Sequence, residues 1–339
     1  MKNLRSPEDI CLLCQDKKAD KKGSHYIPAG LIKREIGDRD YEEIYTINSF
    51  HASASVYKGR SNLSNTDTTI KQGEHIADYI FCSFCEKQLG KIESESTHQL
   101  VKLTDDISKG NHSVHKTKNR NKYIVLKKPS KNILTLFFYS VIWRQCLQQK
   151  LDFETIFTTE EFQENLRGII AKGITMSLKE IEKLDDFKHY PELIILNTYH
   201  KGDRTENFIS PNVKASNPEL FFIGSYKALI FINNLEFIDF SNNTGLPTEI
   251  LDKDLIINKN SNSIIGIINE SLWTKVDKKL IQYEVERYLF FISEKYSKSK
   301  GISISDAQKQ LFTMAEKFKV DYPENYFKCL DLALETLQE

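Results

Sequence analysis

Two Cys-x-x-Cys pairs are the clearest chemical feature of this chain. Cys11 and Cys14 form the first pair, and Cys82 and Cys85 form the second. A two-residue spacer lets both thiolates of a pair turn toward one ion, and two such pairs complete the tetrahedron that a structural zinc ion prefers, with Zn–S bonds of about 2.3 Å. Two disulfides, or four unrelated thiols, are the alternatives. The rest of the sequence is typical of an intracellular protein, whose thiols stay reduced, and this favours zinc.

The two pairs are separated by 67 residues, far more than the roughly 12 to 20 of a compact zinc finger. We therefore expect a folded insert between them. The insert contains His25, a stretch of helical composition at residues 29–35, and a tract rich in Ser, Asn and Thr at residues 48–69 that is typical of a long loop. The metal should contribute much of the stability of this segment, so that its removal unfolds the N-terminal part.

The sequence around the cysteines carries further motifs. The first pair is followed by Ser24-His25-Tyr26-Ile27-Pro28, and the second lies in Phe81-Cys82-x-x-Cys85-Glu86. In this order the motifs resemble the zinc-stapled branch of the HNH endonucleases, which have a ββα-metal (treble-clef) fold, over roughly residues 8–95. In that family a histidine on the first strand of a hairpin, often followed by Ile-x-Pro or Ile-Pro, is the general base, and His25 matches it.

Two other positions of the family pattern are occupied differently in this chain. The family has an asparagine that orients the base shortly before the second pair, where this chain offers Asp78, four residues before Cys82, or His75, seven before it. The metal-binding histidine or asparagine of the family corresponds here to Glu86. Glu93 follows seven residues later, on the same face of the expected helix. Carboxylates can bind Mg²⁺ or Mn²⁺, because hard cations prefer oxygen ligands.

The resemblance implies hydrolysis of a phosphodiester bond. This reaction needs a base that deprotonates water and a cation that stabilises the charge on the phosphate and on the leaving 3′ oxygen. We expect His25 to be the base, since an imidazole with a pKa of about 6.5 can accept a proton at cellular pH. Asp78 would orient its ring, and Glu86 with Glu93 or His75 would hold Mg²⁺ or Mn²⁺. Alternatively, His25 braces the fold through a backbone carbonyl or replaces a cysteine as zinc ligand.

The charges of the chain are balanced in total but unevenly distributed. Of 47 Lys or Arg and 47 Asp or Glu, residues 1–131 hold 23 and 17, and residues 132–339 hold 24 and 30. The segment 109–131 has eight Lys or Arg and no carboxylate, with His112, His115 and Tyr123 among them. Such a segment either binds phosphates and stacks a ring on a base, or is a solvated loop. The residues expected to contact nucleic acid are Lys116, Lys118, Arg120 and Lys122.

The second part of the chain has the pattern of a mixed body. Apolar residues at helical spacing predict a buried helix at residues 133–149, and Thr158-x-x-Glu161 predicts a capping box that opens another. Short β-rich segments follow between residues 192 and 268, and turns at 224–225 and 233–234 favour antiparallel hairpins. The remaining predicted elements are a strand at 235–240 and helices at 272–298, 305–319 and 323–337.

The predicted fold class is α+β, with a zinc-bound treble-clef/ββα-metal head at residues 1–131 and an antiparallel-sheet and helix body at residues 132–339. The favoured function is a metal-dependent endonuclease acting on DNA, and a head of this kind on such a body resembles effectors of microbial anti-phage defence. The body would then hold a partner protein or a second copy. The longest apolar run, 133–143, is too short to span a bilayer, so we expect a cytoplasmic protein.

Two other functions are compatible with the sequence. One is a catalytically inactive zinc-binding module that docks nucleic acid or protein, which the glutamate at position 86 supports. The other is a non-nuclease hydrolase whose site lies in the body. A second metal ion near His25 distinguishes the endonuclease from the binding module, which needs zinc alone.

Overall fold

The structure is a computed structural model, and it describes residues 5–31, 43–48, 53–58, 75–105, 112–152, 159–184, 192–198, 209–211, 219–223, 226–231, 234–246, 262–268, 270–322 and 326–338. Its strands are β1 (Ser24–His25), β2 (Glu43–Asn48), β3 (Ser53–Lys58), β4 (Ile76–Ala77), β5 (His112–Lys116), β6 (Lys122–Ser130), β7 (Glu192–Thr198), β8 (Ile209–Pro211), β9 (Glu219–Ile223), β10 (Tyr226–Phe231) and β11 (Asn262–Ile268). Its helices are α1 (Ser83–Asp105), α2 (Lys131–Asp152), α3 (Glu160–Gly173), α4 (Leu178–Glu182), α5 (Asn234–Thr244), α6 (Glu270–Lys300), α7 (Ile304–Phe318) and α8 (Tyr326–Gln338).

A short β hairpin lies between the two cysteine pairs, and a long helix begins within the second pair. β1 and β4 are antiparallel, with Ser24 opposite Ala77 and His25 opposite Ile76. α1 begins directly after Cys82. Its N-terminus is capped from a distance, because the Asp20 carboxylate accepts hydrogen bonds from the Ser83 backbone N–H at 2.6 Å and from the Ser83 hydroxyl at 2.9 Å. The second pair thus lies where a hairpin passes into a helix.

The insert contains a second hairpin. β2 and β3 pair antiparallel over six residues each. The expectation of a loop at residues 48–69 is therefore wrong for residues 53–58, and residues 59–69 lie outside the described part. The β-branched and aromatic residues of the two strands, such as Ile47 and Val56, favour extended backbone over the loop tendency of the neighbouring Ser and Asn. Residues 29–31 are helical, and the rest of the helix expected at 29–35 also lies outside the described part.

A seven-stranded sheet forms the centre of the fold, in the order β5-β6-β11-β7-β10-β9-β8. Its neighbours pair antiparallel except β11 and β7, which are parallel. The fold is thus mixed α and β, as predicted, with a mixed sheet. The basic segment contributes the first two strands, so that it is a hairpin at one edge of the sheet.

Helix α2 is buried along most of its length, which confirms the helix expected at residues 133–149. Apolar side chains surround it, and residues 133 to 148 are almost all buried. Phe137 shares one hydrophobic core with Cys11, Phe81 and Cys85, and Trp143 stacks on Phe81 with ring centroids 5.9 Å apart. Among the described helices, α2 included, none has the length and apolarity needed to cross a membrane.

Contacts divide the chain into two compact units. The first comprises residues 1–241 and 245–270, and the second comprises residues 242–244 and 271–339. The boundary expected at residue 131 lies inside the first unit, because α2 packs into the same core as the cysteine segment. In the second unit α6, α7 and α8 bury Tyr296, Leu311 and Leu330 in a core of their own. These helices confirm the three predicted there, with ends that differ by a few residues.

Two local expectations are wrong. Residues 235–240 form part of helix α5 and not a strand, and residue 233 of the expected turn lies outside the described part. Phe237 and Phe240, three residues apart, both contact Phe231 of β10, with ring centroids at 5.2 and 5.3 Å, and this contact selects the helical period. The cap of α3 is Thr159, whose hydroxyl accepts from the Phe162 N–H at 3.2 Å, whereas the predicted cap was the preceding threonine.

Two glycines of α3 allow a matched test of its packing. A Cβ at Gly168 meets no atom within 4 Å, whereas one at Gly173 lies 2.5 Å from a Leu136 methyl carbon. Gly168→Ala should raise the free energy of unfolding by up to about 1 kcal/mol, because alanine has the higher helix propensity. Gly173→Ala should lower it, since Leu136 must move within a packed core. Urea denaturation followed by circular dichroism checks both, and equal shifts in one direction would contradict this packing.

Candidate metal centre

The four cysteines of the two pairs lie together. One sulfur from each of Cys11, Cys14, Cys82 and Cys85 lies within 4.8 Å of every other, and the Cys14 and Cys82 sulfurs are 4.0 Å apart. A tetrahedron with Zn–S bonds of about 2.3 Å has sulfur–sulfur edges of about 3.8 Å. All six cysteines of the chain are free thiols. The sulfurs therefore form a group that fits a tetrahedral metal ion such as zinc, and the disulfide alternative is not what the structure contains.

Backbone hydrogen bonds hold the two pairs in register. The Leu12 N–H donates to the Ile80 carbonyl at 2.9 Å, which joins the two cysteine segments directly. The first segment closes on itself, since the Gln15 N–H donates to the Cys11 carbonyl at 3.0 Å with Gln15 in the left-handed region at φ 55°. The Cys85 N–H donates to the Cys82 sulfur at 3.4 Å. Backbone donors of this kind favour the thiolate form that a metal requires.

The sulfurs also interact with one another. The Cys85 thiol donates to the Cys11 sulfur, which lowers the pKa of Cys11 to about 4 despite its burial. The same contact raises the pKa of Cys85. Burial and the neighbouring sulfurs also raise the pKa of Cys82. A bound divalent cation would favour the thiolate form of all four cysteines, because thiolates are the form that ligates zinc.

Two arginines of the following helices bind backbone carbonyls of this region. Arg167 of α3 donates to the Leu13 carbonyl, between the cysteines of the first pair, at 2.7 Å. Arg144 of α2 donates to the carbonyl of His25 at 2.9 Å. Arg144 also pairs with Glu93 of α1 at 2.7 Å, and the side chain of Arg144 is 3% exposed. Helices α2 and α3 thereby fix both the cysteine turn and the strand that carries His25.

His25 and His75 face each other across the β1–β4 hairpin. Their ring centroids are 5.9 Å apart, and the rings are tilted by 50°. His75 is buried, and its carbonyl accepts from the Tyr26 N–H at 2.9 Å. The structure thus brings the expected base and one of its expected companions together, on the hairpin whose next element is the cysteine-bearing helix.

The three carboxylates expected at the site have different surroundings. Asp78 accepts from the Gly23 N–H at 2.8 Å, which ties the two ends of the hairpin. Glu93 is the partner of Arg144. Burial raises the pKa of Glu86, although the nearby Ser24 hydroxyl and the Arg144 guanidinium oppose this effect. Glu86 is therefore a partly desolvated carboxylate directly beside β1 and the buried arginine.

Ligand atoms converge in one place only within the described part of the chain. The four cysteines are the single group there of three or more His, Cys, Asp or Glu side chains close enough to share an ion. His25, His75, Glu86 and Glu93 do not form such a group. This arrangement does not supply a complete protein cage for a second ion. Mg²⁺ does not require one, since it is commonly held by one or two carboxylates, water and substrate phosphate.

The remaining expected site residues lie elsewhere. Lys116 and Lys122 are the last and first residues of β5 and β6, and Lys118 and Arg120 lie in the turn between them. All four are exposed. Arg144 is the residue that the sequence alone does not assign to the site. Its signal in the sequence is a position beside Trp143 on a helix predicted to be buried, which fits either a buried ion pair or a ligand contact, and the structure shows the ion pair.

Comparisons of the chain with protein-family models, with curated proteins and with solved structures found no match. The proposed function therefore rests on the cysteine cluster and the residues beside it.

The cysteine cluster predicts one zinc ion per chain. Purified protein should contain close to one equivalent by elemental analysis, and Cys11→Ala or Cys82→Ala should lose it. Loss of a closed structural zinc site costs on the order of 10 kcal/mol, so these variants should also unfold in the N-terminal region. Cys329→Ala is the control, because Cys329 is equally buried but lies in the second unit. Zinc that persists in Cys11→Ala would contradict the assignment.

The buried ion pair predicts a large effect of Arg144→Met. The Glu93 carboxylate, 22% exposed, would lose its cation, and we expect a loss of about 3 kcal/mol in the free energy of unfolding. Lys150→Met is the control on the same helix, since the pair of Lys150 with Glu160 is exposed and should contribute less than about 1 kcal/mol. Adding Glu93→Gln to Arg144→Met should recover part of the loss. Denaturation curves of the four proteins test this, and equal effects of the two single substitutions would refute it.

Proposed function

We propose that the chain is a metal-dependent endonuclease of the HNH type, with a zinc-stapled ββα-metal (treble-clef) head that hydrolyses phosphodiester bonds in DNA. The observation that carries the proposal is the order and contact of the elements around the cysteines. A cysteine turn, a strand bearing His25, its antiparallel partner next to His75, a second cysteine pair and a helix follow one another and pack together. This is the order that the sequence resemblance implies.

The roles follow from chemistry and contacts. His25 accepts the proton of the attacking water, and the tie between its carbonyl and Arg144 fixes the strand on which the ring is mounted. Because Glu93 is engaged by Arg144, Glu86 and His75 are the better ligands for Mg²⁺ or Mn²⁺, and Asp78 shapes the hairpin through Gly23. A bound divalent ion would supply charge stabilisation at the phosphate and the leaving oxygen. The cysteine-bound zinc would keep the hairpin and α1 together.

Two kinds of partner fit this proposal. The substrate is nucleic acid, with DNA as the first candidate. The second unit, with its separate core of three helices, is available to bind a partner protein or a second copy. Such a division between a nuclease unit and a binding unit fits an effector of anti-phage defence, in a cytoplasmic setting.

A catalytically inactive zinc-binding module is the second candidate. It is favoured by one specific observation: in the described part of the chain, ligand atoms converge only at the cysteines. Such a module would bind nucleic acid or protein without a second metal. Titration of the zinc-loaded protein with Mn²⁺, followed by electron paramagnetic resonance, distinguishes the two, since only the endonuclease binds Mn²⁺ near His25.

Substitution of His25 tests the catalytic role. Loss of a general base costs about 10²- to 10⁴-fold in rate, so His25→Ala should abolish cleavage of DNA with Mg²⁺ or Mn²⁺ while zinc content and DNA affinity are unchanged. His98→Ala is the control, because His98 is exposed on α1. Glu86→Gln should act like His25→Ala, with partial recovery at high Mn²⁺. If wild-type protein cleaves no DNA, or if His25→Ala releases zinc, the binding module is the better description.

A further inference from the structure

The β5–β6 hairpin presents a basic surface at the edge of the central sheet. Among the described strands of this sheet, β5 is the outermost, and its neighbour is β6. Residues 109–131 contain no carboxylate, and the tip from His115 to Lys122 is exposed apart from Thr117 and Asn121. The positive charges therefore project from a defined piece of backbone, and the segment is not a loose linker.

The tip of the hairpin is a closed turn. The Thr117 N–H donates to the Asn121 carbonyl at 2.8 Å, and the Arg120 N–H donates to the Thr117 carbonyl at 2.9 Å. The Thr117 hydroxyl accepts from the Asn121 N–H at 3.0 Å. Arg120 has a φ of 65°, a left-handed conformation that is unfavourable for a residue with a side chain. This turn fixes the backbone positions from which the exposed Lys118 and Arg120 side chains extend.

Two lysines of the hairpin are placed directly opposite each other. Lys116 and Lys122 are cross-strand partners, and like charges in this position destabilise a hairpin. Such an arrangement lowers the stability of the free protein and raises its affinity for an anion that lies between the two charges. Lys116, Lys118, Arg120 and Lys122 follow one another at every second residue from the end of β5 to the start of β6. Four charges spaced in this way can contact several phosphates of one nucleic-acid strand.

An aromatic pair lies beside these charges. His115 and Tyr123 are cross-strand partners, and their rings stack with centroids 5.3 Å apart and an angle of 22° between planes. A hydrogen bond of 2.6 Å between the Ser113 hydroxyl and His115 Nε2 orients the imidazole. Tyr123 alternates with the buried Ile124 and Leu126, so the rings lie on the face of the hairpin that points away from the core. Lys116 and Lys122, one position closer to the tip, lie on the opposite face.

We infer that this hairpin binds single-stranded nucleic acid, with an unpaired base stacked on the His115–Tyr123 pair. Phosphates of the same strand would lie on Lys118 and Arg120 at the tip and, where the strand passes around the tip, on Lys116 and Lys122. Flat rings beside a basic track favour a single strand, because a duplex offers base edges and phosphates but no free base face. The inference deepens the proposed function by naming the form of its substrate. It concerns binding and does not require that His25 cleave.

Fluorescence anisotropy with labelled 20-residue oligothymidine, the RNA of matching sequence and a DNA duplex tests the inference. All measurements use full-length zinc-loaded protein carrying His25→Ala, so that cleavage does not interfere. We expect single strands to bind more tightly than the duplex. Tyr123→Leu and His115→Ala should each raise the Kd for a single strand by about 5- to 150-fold, the range for loss of one stacking contact. The DNA and RNA arms identify which strand is preferred.

A charge-matched pair of variants tests the basic residues. Replacement of Lys116, Lys118, Arg120 and Lys122 by Gln should reduce the slope of log K against log salt by about 0.7 for each lost single-strand contact. The control replaces four exposed lysines of the second unit, Lys300, Lys309, Lys317 and Lys328, by Gln and changes the net charge equally. Circular dichroism and zinc content establish folding of each variant. Equal binding by the two quadruple variants, or unchanged binding by both ring variants, would overturn the inference.

The same data separate the inference from the proposed function. Binding that depends on the hairpin, together with a wild-type protein that does not cleave, would retain the inference and remove the endonuclease. Cleavage of DNA by the wild-type protein, together with single-strand binding that the hairpin substitutions leave unchanged, would retain the endonuclease and remove the inference.

Discussion

The convergence of two cysteine pairs on one point is the constraint on which the first unit depends. The pairs are 67 residues apart in sequence, and the segment between them contains the β1–β4 pair and the β2–β3 hairpin. Without a cross-link, closing such a loop would be opposed by chain entropy. The sulfurs meet at the start of α1, where the positive end of the helix dipole and backbone donors favour thiolates. The hairpin that carries His25 and His75 is therefore held by the cysteine cluster together with the core that Tyr26 and Phe81 share with α2.

The second constraint is the burial of an arginine. Arg144 enters the interior on α2, and a buried charge must be paired and hydrogen-bonded. Glu93 on α1 supplies the charge, while the carbonyl of His25 and the Ser140 carbonyl and hydroxyl supply acceptors. This network joins β1, α1 and α2 at one side chain. The position of His25 thus depends on a helix beyond residue 131, and the cysteine segment and α2 form one structural unit.

Local patterns predicted those features whose physics is local. The two-residue spacer predicted the cysteine cluster, and apolar residues at helical spacing predicted α2, because both signals lie within a few residues. Residues 235–240 satisfy strand and helix periods alike, and only the contact of Phe237 and Phe240 with Phe231 decides for the helix. The partners of Arg144 could not be predicted from its neighbours in the sequence, because its guanidinium binds a carbonyl 119 residues away.

The engagement of Glu93 bears on the glutamate at position 86. Both residues lie on one face of α1, but only one carboxylate is needed to neutralise Arg144, and Glu93 fulfils that role. Glu86, seven residues and thus about two turns nearer the start of the helix, lies beside the Ser24 hydroxyl of β1. A carboxylate at position 86 can bind Mg²⁺ or Mn²⁺. It would take the place of the histidine or asparagine that binds the metal ion in the HNH family, which the sequence resembles. Glu93 therefore fixes the strand through Arg144, and in the proposed endonuclease Glu86 would be the carboxylate left for a cation at the phosphate.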